Sequence, residues 1–498
     1  MCASTTSAPP VASANSVQRL RFVWHAASAF GVSIVQQVVG LSRHVLIAAF
    51  FGLSREFDGY LVVYALVSMV VFNLSGVFDT VGVARLVQIR ERSGDGAFWR
   101  TSNRLLLQAF AFGALFAAGS LALLWLAMPV VAAGFAPSER AFVSHLGWFF
   151  IPWIIVVVPY YALSAHLKAV WQFSWVFAAE ILAMIVSIAV LWFDHATVAA
   201  LPIAYGAGYA AAALLLLLRR GLKASGEAVR TPGFMTSMSK QYLATQVGTT
   251  TGFADRYFQS FLLTGGISAL GYVGLIVNSL SSLLTFREIY VVPLATEAGR
   301  EQKLGRILQG LVLISIPCTV FLVVYAEAIV SVLLQRGKFT AEAAVVTAAV
   351  LRIQALSLLV STMLAPLERM FQILDRLSLT QIRYLTALVA TLVFQFLFVF
   401  YLGMDVQGVA WGWLCSSIVV LALVIVMVRR CDVVIRWRGI LANAAFAAIT
   451  AGIAIGISWP LASLFTGLPE LAVSGGLYGL VVALSYFMIR ARLRLIIG

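Results

Sequence analysis

The sequence predicts an all-α polytopic membrane protein of 14 transmembrane helices. It is expected to form two six-helix lobes (helices 1–6 and 7–12) around a central cavity, plus helices 13–14. Three observations carry that prediction. Of 498 residues, 61% are hydrophobic and 11% charged, with a mean hydropathy of +0.97, where soluble chains carry roughly 25% charged residues. The apolar residues fall in runs of about the 20 residues that a bilayer core demands. The basic residues that punctuate those runs fall almost entirely on one side.

In chain order the runs lie near 25–51, 58–82, 105–134, 146–166, 173–193, 198–218, 243–263, 267–290, 307–326, 342–366, 382–402, 406–428, 439–459 and 471–490. Ahead of them, MCASTTSAPPVASANS lacks the basic start, short apolar core and cleavage site of a secretory signal. Residues 1–24 are therefore expected to be a disordered cytoplasmic tail. The N-lobe is assigned to 25–218, a cytoplasmic linker to 219–242, the C-lobe to 243–428, and helices 13–14 with a cytoplasmic C-terminus to 429–498. Of 34 Lys and Arg residues, only Arg55, Arg140, Arg336 and Lys338 fall in the loops of the outer side, so both termini are expected in the cytoplasm. The net charge of +14 follows from this asymmetry and from attraction to anionic headgroups. Membrane lipids are thus expected partners and nucleic acid is not. Cys2, Cys318, Cys415 and Cys431 show no metal-ligand spacing and read as packing residues.

Arg43, Arg256 and Arg352 belong to neither side. They sit in helices 1, 7 and 10, roughly 12, 10 and 15 Å below the outer ends at 1.5 Å per residue. A cation that deep snorkels, pairs with a neighbouring helix, or faces a polar cavity. Symmetry favours the cavity: Arg43, Gly52 and Gly59-Tyr60 are echoed by Arg256, Gly265 and Gly271-Tyr272, with the arginines 213 positions apart. A second echo pairs GFAPSERAF (134–142) with GKFTAEAAV (337–345). Asp255 points about 100° away from its neighbour Arg256 and is expected to seek a partner across a helix interface. Glu180 reads as a proton or cation site or as an ion-pair partner. Gln36 and Gln37 either extend the polar face of helix 1 or bond between helices. His44 is open between packing, a second donor and a pH-sensitive contact. Thr340 reads as the N-cap of helix 10. No nucleophile, base or metal cluster emerges, so neither an enzyme nor a cofactor is expected. Energy coupling is open between H+, Na+ and the membrane potential, which supplies about 2.3 kcal/mol per charge per 100 mV.

The segments RHVLIAAFFGLSREFD (43–58), GFAPSERAF (134–142), GFADRYFQSFL (252–262) and VLLQRGKFTAEAAVVTAAVLRIQALSLL (332–359) together resemble the MurJ/MviN family of lipid flippases, within the multidrug, oligosaccharidyl-lipid and polysaccharide (MOP) exporter superfamily. The resemblance implies a central cationic cavity, a groove for a polyprenyl tail at helices 13–14, and alternating access that moves a diphosphate-linked glycan from the inner to the outer leaflet of the bacterial cytoplasmic membrane. Arg43 matches the family's helix 1 cavity arginine, Asp58 its acid at the start of helix 2, and Asp255 its helix 7 acid. Arg43, Arg256 and Arg352 are the expected diphosphate ligands, because arginine is a planar, permanent cation. Asp255, Glu180, Gln37, His44 and Asp58 are the polar or coupling candidates. Flippases of peptidoglycan precursors carry further arginines where this chain has Gln37, Val71 or Phe72, and Gly274 or Leu275. The expected substrate is therefore a polyprenyl-diphosphate-linked oligosaccharide for exopolysaccharide, capsule or O-antigen, with polysaccharide assembly proteins as partners. The alternative is lipid II for peptidoglycan, and a less favoured third reading is a cation-coupled multidrug antiporter.

Overall fold

The computed structural model describes residues 31–32, 34–221, 234–284, 300–374, 376–431, 433–435, 437–465 and 467–497. The expected tail at 1–24 and residues 222–233 of the expected linker lie outside the described residues. Every regular element among those described is helical. The first bundle comprises α1 (Ile34–Phe51), α2 (Arg55–Val77), α3 (Val83–Val131), α4 (Pro137–Leu146), α5 (Ile151–Ala169), α6 (Phe173–Phe193) and α7 (Ala200–Arg220). The second comprises α8 (Phe234–Ser260), α9 (Gly266–Leu284), α10 (Arg300–Val324), α11 (Ala326–Leu334), α12 (Ala341–Ile373), α13 (Leu377–Gln395) and α14 (Asp405–Arg430), followed by α15 (Trp437–Ala462) and α16 (Leu468–Ile497).

Thirteen helices among the described residues are long and apolar enough to cross a membrane. The fourteenth expected span, 243–263, falls in α8, whose 27 residues reach about 40 Å. Its Thr249-Thr250-Thr251 run, Asp255 and Arg256 make it too polar to stand out by hydropathy. Its neighbours explain the polarity: α8 packs on α2 and α3 of the first bundle and on α13 and α14 of its own, so it lines the interface rather than facing lipid. Large apolar side chains such as Leu107, Trp125 and Phe193 instead stay exposed on the outer surfaces of the bundles, as a hydrocarbon solvent requires.

Local sequence sets the helix boundaries. Ser54 caps α2 by accepting from the Phe57 N–H at 3.2 Å. Thr340 caps α12 through Ala343 N–H at 3.2 Å, as expected. Between α2 and α3 the chain stays helical through one π-helical turn, Phe78–Gly82, and bends at Gly94, whose φ of +81° suits glycine.

The two bundles close on each other at the end bearing residues 52–54, 132–136 and 335–340. The contacts are reciprocal. The Lys338 N–H donates to the Ala49 carbonyl at the end of α1 (2.8 Å), and the Gly134 N–H donates to Ser260 Oγ at the end of α8 (3.0 Å). A Cβ on Gly337 would overlap the Ala49 carbonyl oxygen, and one on Gly134 would overlap the Ser260 carbonyl oxygen. Each lobe thus inserts a glycine against the helix end of the other, at the two sites of the GFAPSERAF and GKFTAEAAV echo. Gly52 and Gly265, the other echoed pair, turn the chain at φ +56° and +86° and abut Lys338 and Leu53 respectively.

Candidate functional site

Below this closed end lies a cavity of about 320 Å³ between the lobes. Its N-lobe wall is aromatic, with Phe57, Tyr60 and Tyr64 from α2, Tyr205 from α7 and His44 from α1. Its C-lobe wall mixes polar and apolar groups, with Arg256 and Gln259 from α8, Leu270, Gly271, Tyr272, Gly274, Leu275 and Asn278 from α9, and Trp413 from α14.

Arg256 is the cation on the wall itself. Its Nη1 donates to Gln259 Oε1 at 2.6 Å, a contact one helical turn along α8 that leaves its remaining donors to the cavity. Asp255 turns the other way, as its helix position predicts, and Oδ1 accepts from Gln395 Nε2 (2.6 Å) and Trp413 Nε1 (2.7 Å). Arg43 stands one ring back from the wall, its guanidinium 4.5 Å above the Tyr205 centroid. A desolvated cation–π contact of this kind is worth about 2 kcal/mol. It stabilises the charge without neutralising it, and Nε remains buried without a hydrogen-bond partner.

The other expected polar residues separate into distinct roles. Gln37 Nε2 donates to Ser282 Oγ of α9 at 3.2 Å, an inter-lobe contact. Glu180 accepts from Gln36 Nε2 (2.6 Å) and Tyr160 OH (3.3 Å) inside the N-lobe and has no ion-pair partner among the described residues. His44 faces the cavity.

Two expectations need correction. Arg352 is not a cavity residue: its side chain is 44% exposed and pairs with Glu327 on the short helix α11 at 2.8 Å. Depth along α12 is as expected, but the helix turns this position away from the lobe interface. Asp58 is not a polar cavity group either. It is 0% exposed and is consumed by the closed end, accepting from Gly265 N–H (2.7 Å), Ser268 N–H (2.8 Å) and Ser268 Oγ (2.6 Å). One lobe thereby caps the N-terminus of α9 in the other, satisfying N–H groups that have no intrahelical partner and placing a carboxylate at the positive end of the helix dipole. Nearby, Arg55 holds Glu139 of α4 in a two-point contact at 3.0 and 3.1 Å.

Tyr64, Tyr205, Gln259, Gln395 and Trp413 were not anticipated as site residues. The only sequence signal was the spacing of Phe57, Tyr60 and Tyr64 on one face of α2, which in a membrane helix reads equally as packing. The cavity also has an apolar neighbour, a groove of about 600 Å³ lined by Leu313, Pro317 and Phe321 of α10 and by Tyr478, Val482 and Tyr486 of α16.

Comparison with known proteins agrees with this architecture. The solved lipid II flippase MurJ in an inward closed conformation superposes with a TM-score of 0.77 at 16% identity, over 93% of this chain and 99% of that one. A eukaryotic MATE transporter gives 0.57 at 12% identity, over 86% and 99%. A MOP superfamily transporter from Pyrococcus furiosus gives 0.55 at 12% identity, over 81% and 95%. At such identities these likenesses establish the fold alone. No curated protein matches in sequence, but the family profile described as "Lipid II flippase MurJ" matches residues 47–473. The chain therefore belongs to the MurJ lipid II flippase family.

Proposed function

We propose that this flippase carries a polyprenyl-diphosphate-linked glycan across the bacterial cytoplasmic membrane, with both termini in the cytoplasm and the closed end facing outward. The observation that carries the reading is Arg256 on the wall of an inter-lobe cavity, with Arg43 held uncompensated one ring behind it. A diphosphate leaving water needs cations whose charge is not already spent on a carboxylate. Arg256 binds it first, and Arg43 joins when the lobes separate and Tyr205 moves. The apolar groove between α10 and α16 takes the polyprenyl chain.

Lipid II is the favoured glycan, because the family profile that covers most of the chain is that of lipid II flippases. A second reading, a lipid-linked oligosaccharide for surface polysaccharide, is supported by Gln37, by Val71 or Phe72, and by Gly274 or Leu275. They stand where the resemblance leads one to expect arginines, and both Gly274 and Leu275 are on the cavity wall itself. The deciding experiment is rescue of a bacterium depleted of its own lipid II flippase. Growth restored by the wild-type chain and lost with Arg256→Ala at equal abundance supports lipid II. Failure to rescue, combined with restored polymer export in a polysaccharide-flippase mutant, moves the assignment to the second reading. Failure in both strains sinks the proposal.

A further inference from the structure

The N-lobe wall is one end of a continuous series of aromatic rings. Along one face of α2, Phe57 stacks on Tyr60 with centroids 5.7 Å apart and Tyr60 on Tyr64 at 5.7 Å, and Phe72 meets Tyr64 edge-on at 6.3 Å. From Phe57 to Phe72 is about 22 Å of helix, more than half of a bilayer core. Tyr205 flanks Tyr64 at 5.8 Å. Tyr64 is also stacked nearly parallel, at 7°, on Trp153 with centroids 5.9 Å apart. Trp153 itself is 0% exposed, so a buried ring fixes the plane that Tyr64 presents. Phe72, two turns further from the closed end, is 43% exposed. An exposed phenylalanine is ordinary on a lipid-facing surface, but Phe72 shares its face of α2 with Leu61 and Tyr64, which line the inter-lobe cavity, and meets Tyr64 directly.

We propose that these rings form a sugar track, in which the pyranose attached to the diphosphate enters past Phe72 and stacks on Tyr64 while Arg256 holds the phosphates. The proposal rests on the lipid-linked-glycan reading above. Its chemistry is specific. The two faces of a pyranose present C–H groups of slightly positive character, which complement the negative face of an aromatic ring, and the hydroxyls around the sugar's rim remain free for water and for Gln259 and Asn278 across the cavity. Such stacking tolerates different sugars, while arginine in place of Phe72 would select a charged group. The cavity, at about 320 Å³, is at the lower end of the range for ligand sites, which matches one ring rather than a whole headgroup.

The test is binding of two lipids to the purified full-length protein in nanodiscs: polyprenyl diphosphate, and polyprenyl diphosphate carrying one N-acetylglucosamine. The wild type binds the sugar-bearing lipid more tightly than the bare one. Tyr64→Ala and Tyr64→Leu each weaken the sugar-bearing lipid about tenfold more than the bare one, whereas Tyr64→Phe behaves as wild type. Phe72→Ala, at an exposed position that does not threaten the core, shifts the same preference in the same direction. An unfolding temperature close to that of the wild type shows that each variant is folded. If Tyr64→Leu and Phe72→Ala keep the sugar preference within about twofold while Arg256→Ala weakens both lipids, the track is wrong and the diphosphate site stands. If the wild type binds neither lipid, the glycan reading falls and the track falls with it.

Discussion

The two arginines related by the internal repeat are held by opposite chemistries. In the N-lobe, Arg43 lies over the face of Tyr205, among rings from α2 and α7. In the C-lobe, Arg256 is held by the amide of Gln259, next in sequence to an acid, Asp255, that is itself held by Gln395 and Trp413. A quadrupole stabilises a cation without cancelling its charge, whereas a neighbouring carboxylate partly cancels it. Arg43 therefore keeps more of its charge than Arg256 does, even though it is the one set back from the cavity. The same asymmetry appears at the closed end. The glycine contacts are reciprocal, but among the described residues the acid that bonds across to the other lobe is the N-lobe's Asp58, and the position equivalent to it is Leu270 when Gly59-Tyr60 is aligned with Gly271-Tyr272.

Substitutions can break or sharpen this comparison. The largest effect is expected from Asp58→Ala, which strands the first N–H groups of α9 and the Ser268 hydroxyl. A loss of about 3 kcal/mol should appear as a lower unfolding temperature and as longer distances between spin labels placed in the 132–136 and 335–340 segments. An unchanged distance would mean that the glycine contacts alone hold the lobes together. Next come Gly134→Ala and Gly337→Ala, each forcing a methyl group onto a backbone oxygen at a cost of about 1–3 kcal/mol. If the two contacts are mechanically equivalent, the same label distances lengthen equally in both variants, and a marked inequality would make one lobe the dominant partner. Third, Gln259→Leu should cost about 2 kcal/mol by removing the hydrogen-bond partner of a buried cation, and Tyr205→Leu about 1 kcal/mol, both read from thermal unfolding. The reverse order would show that Arg43 depends on its ring more than Arg256 depends on its amide. Smallest is Arg352→Ala, an exposed ion pair worth about 0.5 kcal/mol. Lipid binding should be unchanged, and a large loss would return Arg352 to the site.

These cases also show what the sequence could and could not reveal. Hydropathy and the positions of Lys and Arg are local properties, so the spans, and the existence of a polar interior for Arg43 and Arg256, were legible. The echoed glycines were legible as a pattern, although their purpose, contact with a backbone in the other lobe, required the fold. Depth along a helix is countable, but the face a residue turns to the interface is not. That is why Arg352 was grouped with the other two, and nothing local announced that α11 would bring Glu327 to it. Asp58 was legible as an acid in an apolar run, but its partners are mainly backbone N–H groups 207 and 210 positions away, which no side-chain pattern encodes. The rings around Arg43 were hidden for the same reason, since they come from two helices, α2 and α7, far apart in the chain.

The polarity of α8 bears on how the protein is made. A segment whose expected span, 243–263, carries Asp255 and Arg256 close to its centre, each opposing insertion there by roughly 2.5–3.5 kcal/mol, does not partition from the translocon into lipid unaided. It requires a polar surface already waiting in the membrane, and of the helices it packs against α2 and α3 are the ones synthesised earlier. The first lobe thus acts as an insertion template for the second, and the order of the chain becomes an order of assembly. A truncated protein that begins at α8 should stall at the membrane, and co-expression of the first lobe should release it.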